Sequence, residues 1–290
     1  MQVIVIIVTY NGMKWLDKCL ASVYNSDIAL KVVLIDNGSS DGTLKFIKEN
    51  YPKIKVINSG ENLGFGRANN IGIEYALEEK ADYAYLLNQD AYLEKDTIST
   101  LISISQKHKE YGILSPMQMN GDGSALDKNF QMILPDYNES SQIINTTFVM
   151  AAHWLITKDC IKKVGLFDPI FGHYGEDNDY INRAIYHGFK IGICPNIKAF
   201  HDRFFREITN EKALDTFYRS NLSVLTNINL PFIKAIKIFL RKIAPRVIRS
   251  FLNLRSKEMI IHIFQFSELS LKFLKILSSR KKNKKVFRTN

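Results

Sequence analysis

Two acidic clusters, about eighty residues apart, hold the side chains best suited to chemistry in this 290-residue chain. The first is Leu86-Leu87-Asn88-Gln89-Asp90-Ala91, in which two apolar strand residues deliver two amides and a lone carboxylate to a strand's end. The second, Gly175-Glu176-Asp177-Asn178-Asp179, stands before a helix. A departing diphosphate carries negative charge, and a divalent cation bridging its phosphates neutralises that charge. Mg²⁺ or Mn²⁺ prefers oxygen ligands and needs few from the protein when phosphates supply the rest, so Asp90 suffices as a metal ligand. The plainer alternative is an aspartate that caps its own turn. Asp177 is the candidate general base for an attacking hydroxyl, with Glu176 and Asp179 as substrate contacts beside it. Acidic residues also suit a helix N-terminus for dipole reasons. Asp179 with Arg183 four residues on also reads as an i,i+4 ion pair. His201, before Asp202-Arg203, could complete the metal site as a neutral imidazole.

Three further polar clusters follow apolar runs. Thr9-Tyr10-Asn11-Gly12 ends the first. Asp36 ends the second and opens Asn37-Gly38-Ser39-Ser40-Asp41-Gly42-Thr43. A carboxylate there can accept from a ribose or a base edge, as acidic residues do in dinucleotide folds. Asp41 reads as a helix N-cap. Asn62-Leu63-Gly64-Phe65-Gly66 sets Arg67 at a helix start, where arginine can face a base or phosphates.

The elements needed to position these groups are legible as strand–helix alternation. Val3–Val8 is a continuous apolar run, as expected of a strand covered on both faces. Trp15, Cys19, Leu20 and Val23 recur at helical spacing. Val32–Ile35, Ile54–Ile57 and Tyr83–Leu87 are strands, with helices from Leu44 and from Phe65 to about Glu79 between them. Alternation of this kind implies right-handed βαβ units and a mainly parallel, Rossmann-like α/β sheet flanked by helices. Ligands sit at the carboxyl ends of such strands, where the polar clusters fall. Residues 117–146 read as a long ordered loop. Thr147–Ile156 and Lys190–Cys194 read as strands, Lys158–Val164 and Asp177–His187 as helices. From Glu211 the pattern is helical. Phe232, Ile236, Phe239, Leu240 and Ile243 form one stripe, Lys234, Lys237 and Arg241 another. Pro245 is expected to break that helix, and Arg280–Lys285 to be disordered. The expected division is a catalytic domain over 1–210 and a basic amphipathic helical extension over 211–290.

Charge is concentrated in that extension. Residues 231–290 carry sixteen lysines and arginines against two glutamates, so a net +10 leaves the first 230 residues near −4. A basic tail on a near-neutral body suits an anionic surface such as a membrane leaflet; packing on the body or into a homodimer is the alternative. A nucleic-acid-binding protein would keep its charge at its pockets, and the pockets here are acidic. A sugar nucleotidyltransferase would want a glycine-rich basic loop near the start, and residues 9–14 are neither. The three scattered cysteines exclude a disulfide framework and fit a reducing compartment. Met1–Val8 lacks a signal peptide's basic flank, and no apolar run reaches spanning length.

Taken in order, V-T-Y-N, D-N-G-S-S-D-G-T, N-L-G-F-G-R-A-N-N, L-L-N-Q-D and G-E-D-N-D-Y-x-x-R resemble the family-2 glycosyltransferases over about residues 1 to 205. The resemblance implies a GT-A fold, a nucleotide-diphospho-sugar donor, a glycan or lipid-linked acceptor, Mg²⁺ or Mn²⁺, and inversion at the anomeric carbon. It assigns Thr9, Tyr10 and Asp36 to the nucleotide with Arg67 nearby, Asp90 and His201 to the metal, and Asp177 to the base. Asn88 and Gln89 stand where acidic residues are common, so contacts there would be amide-mediated. Ala151-Ala152 replaces a frequent Gly-Ala, and no glycine follows His201. Many bacterial relatives extend lipid-diphosphate carriers, which implies cytoplasmic work at the inner face of the cell membrane.

Overall fold

A computed structural model describes residues 1–138, 140–172, 174–203, 210–252 and 256–287. The first half alternates as the sequence predicts: β1 (Val3–Thr9), α1 (Leu16–Tyr24), β2 (Lys31–Asp36), α2 (Thr43–Asn50), β3 (Lys55–Asn58), α3 (Phe65–Glu78) and β4 (Tyr83–Asn88). Strands β3, β2, β1 and β4 lie side by side and parallel, with Thr9 in register with Asp36 and Asp36 with Asn58. Along β1, Val3, Val5 and Ile7 enter one core while Ile4 and Ile6 enter the other. Successive strand side chains point to opposite faces. Both faces are covered, which is why the run is apolar throughout. Leu16, Cys19, Leu20 and Val23, one face of α1, close the core under β1.

The second half is mixed. It runs β5 (Ala91–Leu93), α4 (Thr97–Lys107), β6 (Tyr111–Asn120), α5 (Lys128–Gln131), β7 (Ile144–Thr146), β8 (His153–Thr157), α6 (Lys158–Val164), α7 (Glu176–Tyr186) and β9 (Lys190–His201). Among the described residues one sheet results, ordered β3-β2-β1-β4-β8-β6-β9-β5, with β7 paired to β9. Strand β8 is antiparallel to both β4 and β6, and β6 is parallel to β9. The stretch 117–146 is therefore not one loop. Its start completes β6 after a register shift at Pro116/Met117, where proline has no N–H to give the ladder. The strand expected over 147–156 starts only at His153, and β9 continues past Cys194 to His201.

The extension forms α8 (Asn210–Thr226), α9 (Phe232–Leu252), α10 (Ser256–Leu271) and α11 (Phe273–Asn283). Tyr218, Leu222, Phe239, Ile243 and Ile276 pack with Phe171 of the body. Two expectations are corrected here. Pro245 lies inside α9; it is exposed, so water can take the Arg241 carbonyl that its missing N–H leaves. Residues 280–285 are not a loose basic run. Arg280 is buried and donates to the carbonyls of Leu225 (2.9 Å), Asn227 (2.5 Å) and Leu230 (2.5 Å). These lie at and just beyond the C-terminal end of α8, where carbonyls lack helical partners and favour a cation. Asp168 accepts from Ser279 and Asn283, and the Phe287 N–H donates to Lys163 O. No helix among the described residues is long and apolar enough to cross a membrane.

Candidate active site

The ends of β1, β2, β4 and β9 meet at one edge of the sheet. Strand β5 pairs with β9 so that Ala91 faces His201, and the Asp202 N–H donates to Asp90 O at 2.7 Å. This pairing sets Asp90 Oδ1 3.3 Å from His201 Nε2, with both side chains buried. Burial lowers the His201 pKa, an effect only partly offset by the Asp90 carboxylate. The ring is thus in the neutral form that can ligate a metal. A hard oxygen beside a neutral imidazole suits Mn²⁺ or Mg²⁺. No cluster of three or more such ligands occurs among the described residues, so the remaining positions must come from phosphate and water. The donor set fits a cation of that kind.

Behind this pair stands a residue that the motifs did not mark. His153 is buried in β8, where Tyr85 hydroxyl lies 3.1 Å from Nδ1 and Phe200 O lies 3.0 Å from Nε2. A carbonyl only accepts, so Nε2 carries the proton and Nδ1 accepts from Tyr85. Burial pushes the ring down to about 3, so it stays neutral. It fixes the backbone one residue before His201. A lone histidine in an apolar strand was its only signal.

Asp177 lies within the electrostatic reach of Arg203, which touches His201. Its carboxylate lies near the Ala151 N–H, and neighbouring Ala152 O accepts from Asn88 N at 3.1 Å, beside the end of β4. Burial pushes half-buried Asp177 up to about 6, against the pull of Arg203. Arg203 Nε is 3.1 Å from His201 Nδ1 and 3.4 Å from Asp127 Oδ2, so one guanidinium adjoins the Asp90–His201 pair and acts on Asp177. Glu176 is buried, and its carboxyl is pushed up to about 7 by burial and by Asp177.

The glycines before α3 have a packing reason. A Cβ on Gly64 would collide with Gly172 O, and one on Gly66 would press on Phe167 and Glu176. Gly64 also holds φ at +81°, a conformation costly for residues with a side chain. The segment before α3 is thus a seat for the loop carrying Glu176 and Asp177. Arg67 is exposed there, its Nε held by Leu63 O at 2.8 Å.

At the end of β2, Asp36 is fully buried; Oδ2 accepts from Ser39 N at 3.1 Å, and Oδ1 has no hydrogen-bond partner among the described residues. A buried carboxylate oxygen without a donor is costly, and a ribose hydroxyl or base N–H would satisfy it. Tyr10 is exposed beside it, while Asn88 lies half-buried at the end of β4.

Four expected contacts have other work. Gln89 Oε1 accepts from Thr9 Oγ1 (2.7 Å) and Tyr10 N (2.9 Å), and its Nε2 donates to Tyr10 O. Thr9 and Gln89 therefore clamp the β1 loop. Asn11 accepts from Ser40 N at 2.8 Å while its own N–H donates to Ser39, which ties that loop to the one after β2. Asp179 forms a buried ion pair with Arg183 Nε at 2.7 Å. Arg183 also donates to Val164 O, so this i,i+4 pair locks α7 to α6.

Known proteins resemble this chain in sequence and in fold. The model of glycosyl transferase family 2 matches residues 4–165. The low-salt glycan biosynthesis hexosyltransferase Agl10 of Haloferax volcanii is 27% identical over 73% of this chain and 69% of its own length. The dTDP-rhamnosyl transferase RfbF of Shigella flexneri is 26% identical over 68% and 67%. N-acetylglucosaminyl-diphospho-decaprenol L-rhamnosyltransferase of Mycobacterium tuberculosis is 30% identical over 44% of this chain and 45% of its own, so the chain spans under half of that relative. In fold, the chain resembles residues 1–349 of Staphylococcus aureus TarS, solved with UDP, at a TM-score of 0.60 with 16% identity, covering 83% of this chain and 70% of that one.

Proposed function

The chain belongs to glycosyl transferase family 2, and we propose that it transfers a hexose or deoxyhexose, with inversion, from a nucleoside diphosphate to a hydroxyl of a glycan or lipid-linked acceptor. The observation that supports this reading is Arg203, which touches His201 of the Asp90–His201 pair and acts electrostatically on Asp177. Asp36 and Tyr10 take the nucleoside, with Arg67 and Asn88 nearby. Asp177 accepts the acceptor's proton as its oxygen bonds to the anomeric carbon. The bond from that carbon to the donor phosphate breaks, and its electron pair leaves with the diphosphate. Attack opposite the leaving group inverts the centre. Asp90 and His201 would hold Mn²⁺ or Mg²⁺, which when bound neutralises charge on the leaving phosphates. Glu176, kept largely protonated below about pH 7, leaves Asp177 as the local anion.

The extension supports work at an anionic leaflet, on the cytoplasmic face. On α9 the buried residues Ala235, Phe239 and Ile243 face the body, yet Ile233, Leu240, Ile248 and Phe251 are exposed. At 100° per residue these four share an arc of about 80°, with Lys237 inside it and Arg241 and Lys234 along one edge. An apolar stripe with a basic border matches acyl chains beneath anionic headgroups. A homodimer closing the stripe is the competing occupant.

The test is product formation from UDP-hexoses and dTDP-rhamnose with lipid-diphosphate glycan acceptors, with NMR of the new anomeric centre. A retained configuration, or no transfer from any nucleoside-diphosphate sugar, refutes the reading. Ile233→Glu with Leu240→Glu should abolish pelleting with phosphatidylglycerol vesicles while light scattering reports a monomer throughout. A mutation-sensitive dimer assigns the stripe to a second copy instead.

A further inference from the structure

We propose that Arg203 is the protein's own cation for the departing diphosphate, an inference that rests on the transfer reaction above. Its guanidinium stands where three things meet: the His201 ring, the buried carboxylate of Asp127, and the electrostatic reach of Asp177. Strand β9 fixes its backbone two residues beyond His201, and the side chain keeps 22% of its surface exposed, so it is anchored yet accessible.

Two of its contacts are weak ones for a guanidinium. The His201 ring is neutral, and the Asp127 oxygen is 3.4 Å away. Asp127 is also engaged elsewhere, since its Oδ1 caps α5 by accepting from Asn129 N and Phe130 N. A diphosphate offers more. Arginine's planar fork takes two phosphate oxygens at once with charge-assisted hydrogen bonds. Those bonds strengthen as the glycosidic bond breaks and charge collects on the leaving oxygen, so the donor aids the transition state more than the ground state. The same move draws Arg203 from Asp127, which couples donor loading to the turn that follows β6.

The test separates diphosphate from monophosphate. UDP, UMP, dTDP and dTMP are titrated calorimetrically into wild type, Arg203→Ala and Arg203→Lys, first in EDTA and then with Mn²⁺. The expected result is a loss of tenfold or more in nucleoside diphosphate affinity for Arg203→Ala in both conditions. Monophosphate affinity should stay within twofold, and Arg203→Lys should fall between. Equal losses for mono- and diphosphate, a loss confined to the Mn²⁺ arm, or no loss each overturn the assignment. Should wild type bind none of the four nucleotides, the donor reading itself fails.

Discussion

The acidity of Asp177 determines how the transfer rate should vary with pH. Burial pushes this carboxyl up to about 6, and only the ionised form can take the acceptor's proton. About nine-tenths of the enzyme is then active at pH 7 and about one-tenth at pH 5. With saturating donor, kcat should fall about tenfold over those two units, following a single ionisation. Asp177→Asn keeps the size and the Asn178 contact but cannot accept a proton. General-base removal of this kind costs about 10²–10⁴ in rate, or about 3–5 kcal/mol on the barrier. The assay is release of nucleoside diphosphate at constant ionic strength across the pH range, with calorimetry to show that nucleotide affinity is unchanged. Glu176→Gln is the control. Glu176 is pushed up to about 7, so if it were the base the limb would sit one unit higher and vanish in that variant. A limb near 7 that disappears in Glu176→Gln, or Asp177→Asn activity within threefold of wild type, refutes the reasoning.

Other perturbations have distinct readouts. Asp36→Asn removes the buried charge whose Oδ1 lacks a protein donor and should weaken nucleoside diphosphate binding about 10–100-fold, the worth of one charged hydrogen bond, by calorimetry. Burial raises Glu176 from its ordinary 4.5 to about 7, so the folded protein binds its proton more tightly than the unfolded chain. That preference stabilises the fold below about pH 4.5 and is lost as pH rises through 7. Glu176→Gln should therefore be more stable than wild type at about pH 8, by about 3 kcal/mol at most, and show no gain at about pH 4, by denaturant titration. Arg280→Met strands the carbonyls of Leu225, Asn227 and Leu230. It should cost about 2–4 kcal/mol in a melt and expose α11 to protease; an unchanged melting temperature would mean the extension is held without it.

The parallel half of the sheet was legible because its signals are local. The apolar run from Val3 to Val8 and the polar residues after each strand state both the strand and its functional end. The antiparallel half was not, because β8 lies between β4 and β6 through pairings that no local pattern encodes. The same limit explains the site. Asp90, Asp177 and His201 could be picked out by type and position. Thr9, Asn11 and Gln89 look like ligand contacts, but their amides and hydroxyls serve a neighbouring loop. A polar side chain at a strand end does not announce whether its partner is substrate or backbone. Arg280 misled in the opposite way. Within Arg-Lys-Lys-Asn-Lys-Lys it reads as solvated charge, yet it fills the open end of a helix distant in sequence. Arg203 and Asp127 were silent, one lying just after the last motif and the other in a stretch that reads as loop.

A structure with a nucleoside diphosphate and Mn²⁺ soaked in reaches the central claim most directly. The account predicts anomalous density for manganese between Asp90 and His201, the nucleoside against Asp36 and Tyr10, and the β-phosphate on the side facing Asp177. Manganese or nucleotide lodged on any other face, with Asp177 turned away from the phosphates, would contradict it.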